Sequence, residues 1–153
     1  MRTLSRPMDG VLALLVGVAL LGVAFVLGDP IYAGIWYYLV TWLGLIGLAQ
    51  VAKAPPLFTT GAAMALTASF LLYWAWQASL QSPDGLLGLG HLFSLPGLGI
   101  AAVIAAVTAR RRRLTPGIAF VVGLLACCAG FAIGQIVVCR TVMYCGALSG
   151  HAV

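Results

Sequence analysis

Apolar residues run along this chain in five long stretches, each closed by a short cluster of glycine, proline, aspartate or basic residues. The first, about 10–27, stops at Gly28-Asp29-Pro30, and the second, about 32–50, ends ahead of Lys53 and Pro55-Pro56. The third, about 57–78, opens directly after those prolines, which suit a helix start because an N–H there has no intrahelical partner to lose. The fourth, about 92–109, runs into Arg110, Arg111, Arg112 and Arg113, and the fifth, about 116–138, follows Thr115-Pro116. None alternates apolar and polar positions as a barrel strand does, and each is near the ~20 residues that cross a bilayer core as a helix. The pattern predicts an all-α integral membrane protein. It would be a single domain over residues 1–153, an up-down bundle of about five transmembrane helices with antiparallel neighbours.

One segment resists that pattern. Gly85 to Gly97, GLLGLGHLFSLPG, is apolar but carries four glycines and Pro96. A helix starting near Pro96 would leave only about 21 Å before Arg110, short of a ~30 Å core. Residues 86–94 are therefore expected either to dip into the outer interface or to form a kinked first part of the helix.

Charge then orients the bundle. Arg2 and Arg6, Lys53, and the block Arg110 to Arg113 fall at the start of the chain and in alternate connections. Basic residues favour the cytoplasmic side, so the N-terminus is expected inside and the C-terminus outside, with Arg140 the single exception. The first run exceeds the usual ~7–15 residues of a signal-peptide core and no A-x-A site follows, so a retained first helix is expected. Tyr32, Trp36, Tyr37 and Tyr38, and also Tyr73, Trp74 and Trp76, then fall at the outer face, where amphipathic rings settle among headgroups.

Composition agrees. The chain is 63% hydrophobic and 7% charged, against roughly a quarter charged residues in soluble domains, too few to cover a water-facing surface. A multi-pass protein of the plasma membrane, of the bacterial inner-membrane kind, is expected. The net charge of +5 reflects the arginine block, which suits anionic lipid headgroups, and no motif points to nucleic acid.

Candidate chemistry is sparse. No span carries a charge at its middle, which argues against proton pumps and ion carriers. Paired carboxylates, a His/Asp/Glu metal constellation, a nucleophile elbow and a phosphate loop are all missing from the sequence. Catalytic residues, a metal site and a cofactor are accordingly not expected, and the chain does not read as an enzyme. The leading expectation is an accessory or interaction subunit, or an assembly or immunity-type factor. Its partners would be membrane lipids and another membrane protein or a second copy of itself. A second expectation places an uncharged or lipidic ligand at the outer aromatic cluster, in a pocket of Trp36, Tyr73, Trp74 and His91. There His91 would either donate to a quinone or lipid headgroup, or simply face water and headgroups. Gln135, near the end of the last span, reads as hydrogen-bonding glue between helices.

All four cysteines lie between Ala126 and Cys145. Gly123, Cys127, Gly130 and Gly134 recur at intervals of four, three and four on one helix face, a small-residue seam that lets helix backbones approach. Cys127 fits there as a small hydrophobe, and Cys128 is turned about 100° away. Cys139 and Cys145 sit six residues apart near the outer edge; they could form a disulfide if the helix breaks between them, remain free, or act in thiol chemistry. A vicinal Cys-Cys in an apolar helix with a C-x5-C pair at the membrane edge resembles the arrangement in mercuric-ion transport proteins. That resemblance implies metal transfer, with Cys127 and Cys128 as one station and Cys139 and Cys145 as the other. It covers about twenty residues, places both pairs on the last helix, and lacks the proline expected near the vicinal pair.

Overall fold

The computed structural model describes residues 6–28, 34–79 and 87–141. They form five α-helices, α1 (Arg6–Leu27), α2 (Ile35–Val51), α3 (Phe58–Ser79), α4 (Leu87–Arg111) and α5 (Pro116–Thr141). No strand occurs among the described residues. Helices α1, α3, α4 and α5 are long and apolar enough to cross a membrane, while α2, apolar throughout, is shorter at 17 residues. Of the five expected spans, four are helices of spanning length, and the remaining one, α2, is a helix of about 25 Å.

The second departure is at α4. It is helical from Leu87, with Pro96 inside it, so the start near residue 92 is corrected by about one and a half turns. A proline removes one ladder bond and crowds the preceding turn. The segment on either side is nevertheless held by α5. The backbone around Gly97 lies against Gly130 and Gly134, and Ser94 lies against Gly134. Tertiary contact outweighs the local break.

Helices α2 and α4 end the same way. Lys53 N–H bonds to the Gln50 carbonyl and Ala54 N–H to the Ala49 carbonyl, while Arg113 and Leu114 bond back to Arg110 and Ala109. These paired bonds satisfy the last carbonyls but need a left-handed residue after the helix. Lys53 (φ 53°) and Arg113 (φ 48°) occupy those positions where glycine is usual. A cation there also faces the negative end of the helix dipole.

The contacts fix relative helix directions. Asp9 near the start of α1 meets Thr59 and Thr60 at the start of α3, and Gly61 of α3 meets Phe120 early in α5. These three helices begin at one end of the bundle. Along α4 the contacts with α5 run in reverse order, Ser94 against Gly134 and then Gly97 and Ala101 against Gly130, and Gly10 lies beside Gln50 at the end of α2. Helices α2 and α4 therefore begin at the opposite end. At the centre stands α3, touching all four others, with 61% of its spanning segment buried against 22–28% in the other three long helices.

Its position explains its composition. Gly61, Ala62, Ala63, Ala65 and Leu66 are buried in its first half. A side chain at Gly61 would collide with the Phe120 carbonyl, and one at Gly123 with the Phe58 carbonyl. At this depth the backbones of α3 and α5 touch directly, which is how small residues stabilise helix pairs without a hydrophobic driving force.

Asp9 closes this end. It is buried, its carboxylate accepts the Thr59 and Thr60 N–H groups at 3.0 and 2.9 Å, and it takes the Thr60 hydroxyl at 2.6 Å. A side chain on α1 thus caps α3, supplying acceptors to donors that have none within their own helix.

Candidate functional site

The residues expected from the sequence separate into three groups. Gly123, Gly130 and Gly134 face inward: Gly123 against Phe58 of α3, Gly130 against Gly97 and Ala101 of α4, and Gly134 against Ser94. Cys127 is fully buried among them and Cys128 is exposed; both are free thiols. Arg110, Arg111, Arg112 and Arg113 are exposed at the α4–α5 turn. Cys139 is buried late in α5, whereas Cys145 lies outside the described residues, so the expected pair cannot be followed there. No disulfide joins two of the described cysteines, and no group of three or more metal-type ligands occurs among the described residues.

The expected aromatic pocket is corrected in its membership. Trp36 is 75% exposed, and Trp74 is buried against Tyr38, with ring centroids 6.1 Å apart. His91 and Tyr73 do come together, 4.9 Å between rings. His91 does not face water or headgroups. Its ring is fully buried, stacked on Phe70 at 4.4 Å and bordered by Phe131 at 5.1 Å and Tyr37 at 5.8 Å.

A buried imidazole requires partners for both nitrogens. Nδ1 lies 2.6 Å from the Tyr37 hydroxyl and Nε2 lies 2.9 Å from Ser69 Oγ. Ser69 Oγ is also 2.7 Å from the Leu66 carbonyl. Two oxygens at that distance need a proton between them, and the carbonyl has none, so Ser69 donates to Leu66. Ser69 therefore accepts from His91, which carries its proton on Nε2, and Nδ1 accepts from Tyr37. Every proton is used once. The chain Tyr37–His91–Ser69 crosses the bundle from α2 through α4 to α3.

A second polar group lies beside it. The Tyr73 hydroxyl donates to Gln135 Oε1 in a short hydrogen bond, and Gln135 Nε2 donates to Cys139 Sγ at 3.0 Å. Ser94 Oγ stands 2.7 Å from Gln135 Oε1 and 2.8 Å from the Gly90 carbonyl, and its single proton serves one at a time. Gln135 thus joins α3, α4 and α5, the gluing role its position suggested.

Outside these two groups runs a groove of about 480 Å³ between α3 and α5. Its α3 wall is Ala65, Ala68, Leu72 and Trp76, and its α5 wall is Cys128, Ala132, Gln135 and Ile136. Ser69, Tyr73 and Phe131 line it where it meets the His91 cluster. The volume falls within the ~300–1,000 Å³ of ligand sites, and the lining has their character, apolar with a few convergent polar groups.

Ser69, Phe70, Ser94 and Phe131 were not singled out from the sequence, and Tyr37 only as one of the aromatics of the outer face. A signal for part of the set exists in helical spacing. Ser69, Tyr73 and Trp76 follow at i, i+4 and i+7, Cys128, Phe131 and Gln135 at i, i+3 and i+7, and His91 and Ser94 at i and i+3. Each set puts polar or aromatic groups on one face of an otherwise apolar helix. With this geometry in hand, comparison adds no relative: no protein family, curated protein or solved structure matches the chain.

Proposed function

We propose that this chain is a multi-pass plasma-membrane protein that binds an apolar, lipid-like ligand in the α3–α5 groove without performing catalysis. The observation that carries this reading is the groove itself, an apolar channel of about 480 Å³ backed by a satisfied polar cluster. Small residues make it deep: Ala65, Ala68, Cys128 and Ala132 stand where larger side chains would fill it. The orientation that fits is the one drawn from charge, with Arg110 to Arg113 and Lys53 at the cytoplasmic end of a bacterial inner membrane.

Photo-crosslinking tests it. Membranes fed a diazirine-bearing fatty acid should give adducts concentrated on peptides spanning 65–76 and 128–136, and Ala132→Phe should suppress them. Adducts spread evenly over exposed faces, including α1, would overturn the reading.

An accessory-subunit role is the second reading, favoured by α1. Only 22% of its spanning segment is buried, and Phe25 and Val26 are 85% and 83% exposed. The glycine seam no longer supports it, because those glycines are spent on α3 and α4. Stoichiometric co-purification with a larger membrane protein, lost on polar substitution of α1's outer face, would establish it. Metal or disulfide exchange through the four cysteines, the thiol alternative, has no support from the vicinal pair, because Cys127 is fully buried while Cys128 faces the groove.

A further inference from the structure

Ser69 gives the groove a chemical polarity. It lines the groove and also ends the chain that runs from Tyr37 through His91. Its proton rests on the Leu66 carbonyl, which keeps its own ladder bond within α3. Turning that proton toward a guest swings Ser69 Oγ away from the Leu66 carbonyl, since two oxygens 2.7 Å apart need a proton between them, and the carbonyl then still keeps its ladder bond. His91 donates into the same oxygen, and a hydroxyl that accepts while donating becomes a stronger donor.

The neighbouring acceptor is already taken, since Gln135 Oε1 receives the Tyr73 hydroxyl and lies 2.7 Å from Ser94. The wall thus offers a proton and asks the ligand for an acceptor. A guest with a hydroxyl or amine at this place would be left with an unpaired donor, which discriminates strongly in an apolar site. Shape adds a second constraint. Tyr73 stands edge-on to Trp76 at 5.9 Å and to Phe131 at 6.2 Å, and all three line the groove. Aromatic walls favour a flat ring in offset or edge contact.

Resting on the groove reading above, we propose that the ligand is a flat cyclic ketone of the quinone type with an apolar tail, its ring carbonyl accepting from Ser69. The ring lies among Tyr73, Trp76 and Phe131, and the tail runs along the groove toward Ala65. His91 acts as a positioning residue that holds Ser69 in its donor role.

The test uses the full chain in mild detergent with Trp36→Phe, to remove the exposed fluorophore. Decylubiquinone is titrated against the remaining tryptophan fluorescence, with decylbenzene as a competitor matched in tail but lacking the carbonyl. Saturable quenching is expected, with decylbenzene competing at least tenfold more weakly. Ser69→Ala should weaken quinone binding about tenfold and erase its advantage over decylbenzene, while Ser69→Thr, which keeps the hydroxyl, should restore most of it. Equal binding by Ser69→Ala, with unchanged helicity and elution, overturns the carbonyl assignment. The groove reading then still stands if Ala132→Phe abolishes quenching. It falls as well if Ala132→Phe has no effect. Displacement of the quinone by monoolein at equal concentration, with the same Ser69 dependence, overturns the ring in favour of an ester lipid. Absence of saturable quenching overturns the quinone, leaving the groove to the crosslinking result.

Discussion

Two buried polar sites at opposite ends of this bundle are satisfied in different ways. At the end where α1, α3 and α5 begin, Asp9 is held by backbone N–H groups of Thr59 and Thr60 and by the Thr60 hydroxyl. Toward the other end, His91 is held by two side-chain hydroxyls, from Tyr37 and Ser69. Backbone donors at a helix start cannot turn away, so removing their acceptor leaves them unpaired. Hydroxyls rotate, and Ser69 keeps the Leu66 carbonyl as its acceptor whether or not His91 is there. The first arrangement locks helices together. The second can rearrange around a guest, and it is the one that adjoins the groove.

The contrast breaks most easily at Asp9. Asp9→Leu removes the acceptor from two N–H groups and a hydroxyl, and hydrogen bonds to a charged group carry about 1.5–3 kcal/mol each. The expected loss is about 3 kcal/mol, since detergent or water can reach part of the opened end. Denaturation in mixed SDS micelles would read it. Asp9→Asn keeps one acceptor but turns an NH₂ toward the other donor, so it should recover only part. Ligand binding per folded molecule should not change in either variant.

His91→Phe comes next. Phenylalanine fills the same stack on Phe70, so the loss is confined to two hydrogen bonds. Ser69 keeps its bond to the Leu66 carbonyl and the Tyr37 hydroxyl is free to rotate, so about 1–2 kcal/mol should be lost. A loss as large as that of Asp9→Leu would mean the hydroxyls are as fixed as backbone, and the proposed difference between the two ends would be gone.

How much of this was legible beforehand follows the same division. The long helices were readable because composition and punctuation act locally: Pro116 starts α5, and the arginine block follows α4. The continuation of α4 through Pro96 was legible only as one of two alternatives, because a proline's local rule is overridden by contact of Gly97 with Gly130 and Gly134, 33 and 37 residues away. Asp9 looked like an ordinary residue at a span's edge, since its partners lie fifty positions on. His91 looked interfacial because its shelter comes from Phe70, Tyr73 and Phe131 on two other helices. The inward face of the glycine seam was equally undecidable from α5 alone. What sequence lacked in every case was the neighbouring helix.

Gln135 sits between the two extremes, as an amide that both donates and accepts across three helices. Gln135→Leu should lose about 0.6 kcal/mol and no more than about 1.7, the measured range for interhelical hydrogen bonds in a membrane. Ser94 has the Gly90 carbonyl as an alternative acceptor, which keeps the cost low. In the same variant the groove wall becomes wholly apolar beside Tyr73, so decylbenzene should bind more tightly. A Gln135→Leu loss above 2 kcal/mol would show that Tyr73 and Ser94 cannot re-pair, and would move this amide into the locked class with Asp9.

The smallest effect, and the one of opposite sign, belongs to Gln77. It is buried on α3, 5% exposed, and neither atom of its amide has a hydrogen-bond partner among the described residues. A buried polar group without a partner costs stability, whereas an apolar side chain of the same shape does not. Gln77→Met keeps the length of the side chain and removes the amide, so stability should rise by about 1 kcal/mol in the same micelle assay. The polar groups would then form a graded series, from Asp9 bound by backbone, through buried His91 and half-buried Gln135 bound by side chains, to Gln77 with no partner among the described residues. A loss of stability in Gln77→Met would take Gln77 out of that series, because only an amide with a partner in the membrane can stabilise the bundle. The search for that partner would then begin at the end of α3, one turn beyond Trp74, whose indole N–H is likewise buried without an acceptor among the described residues.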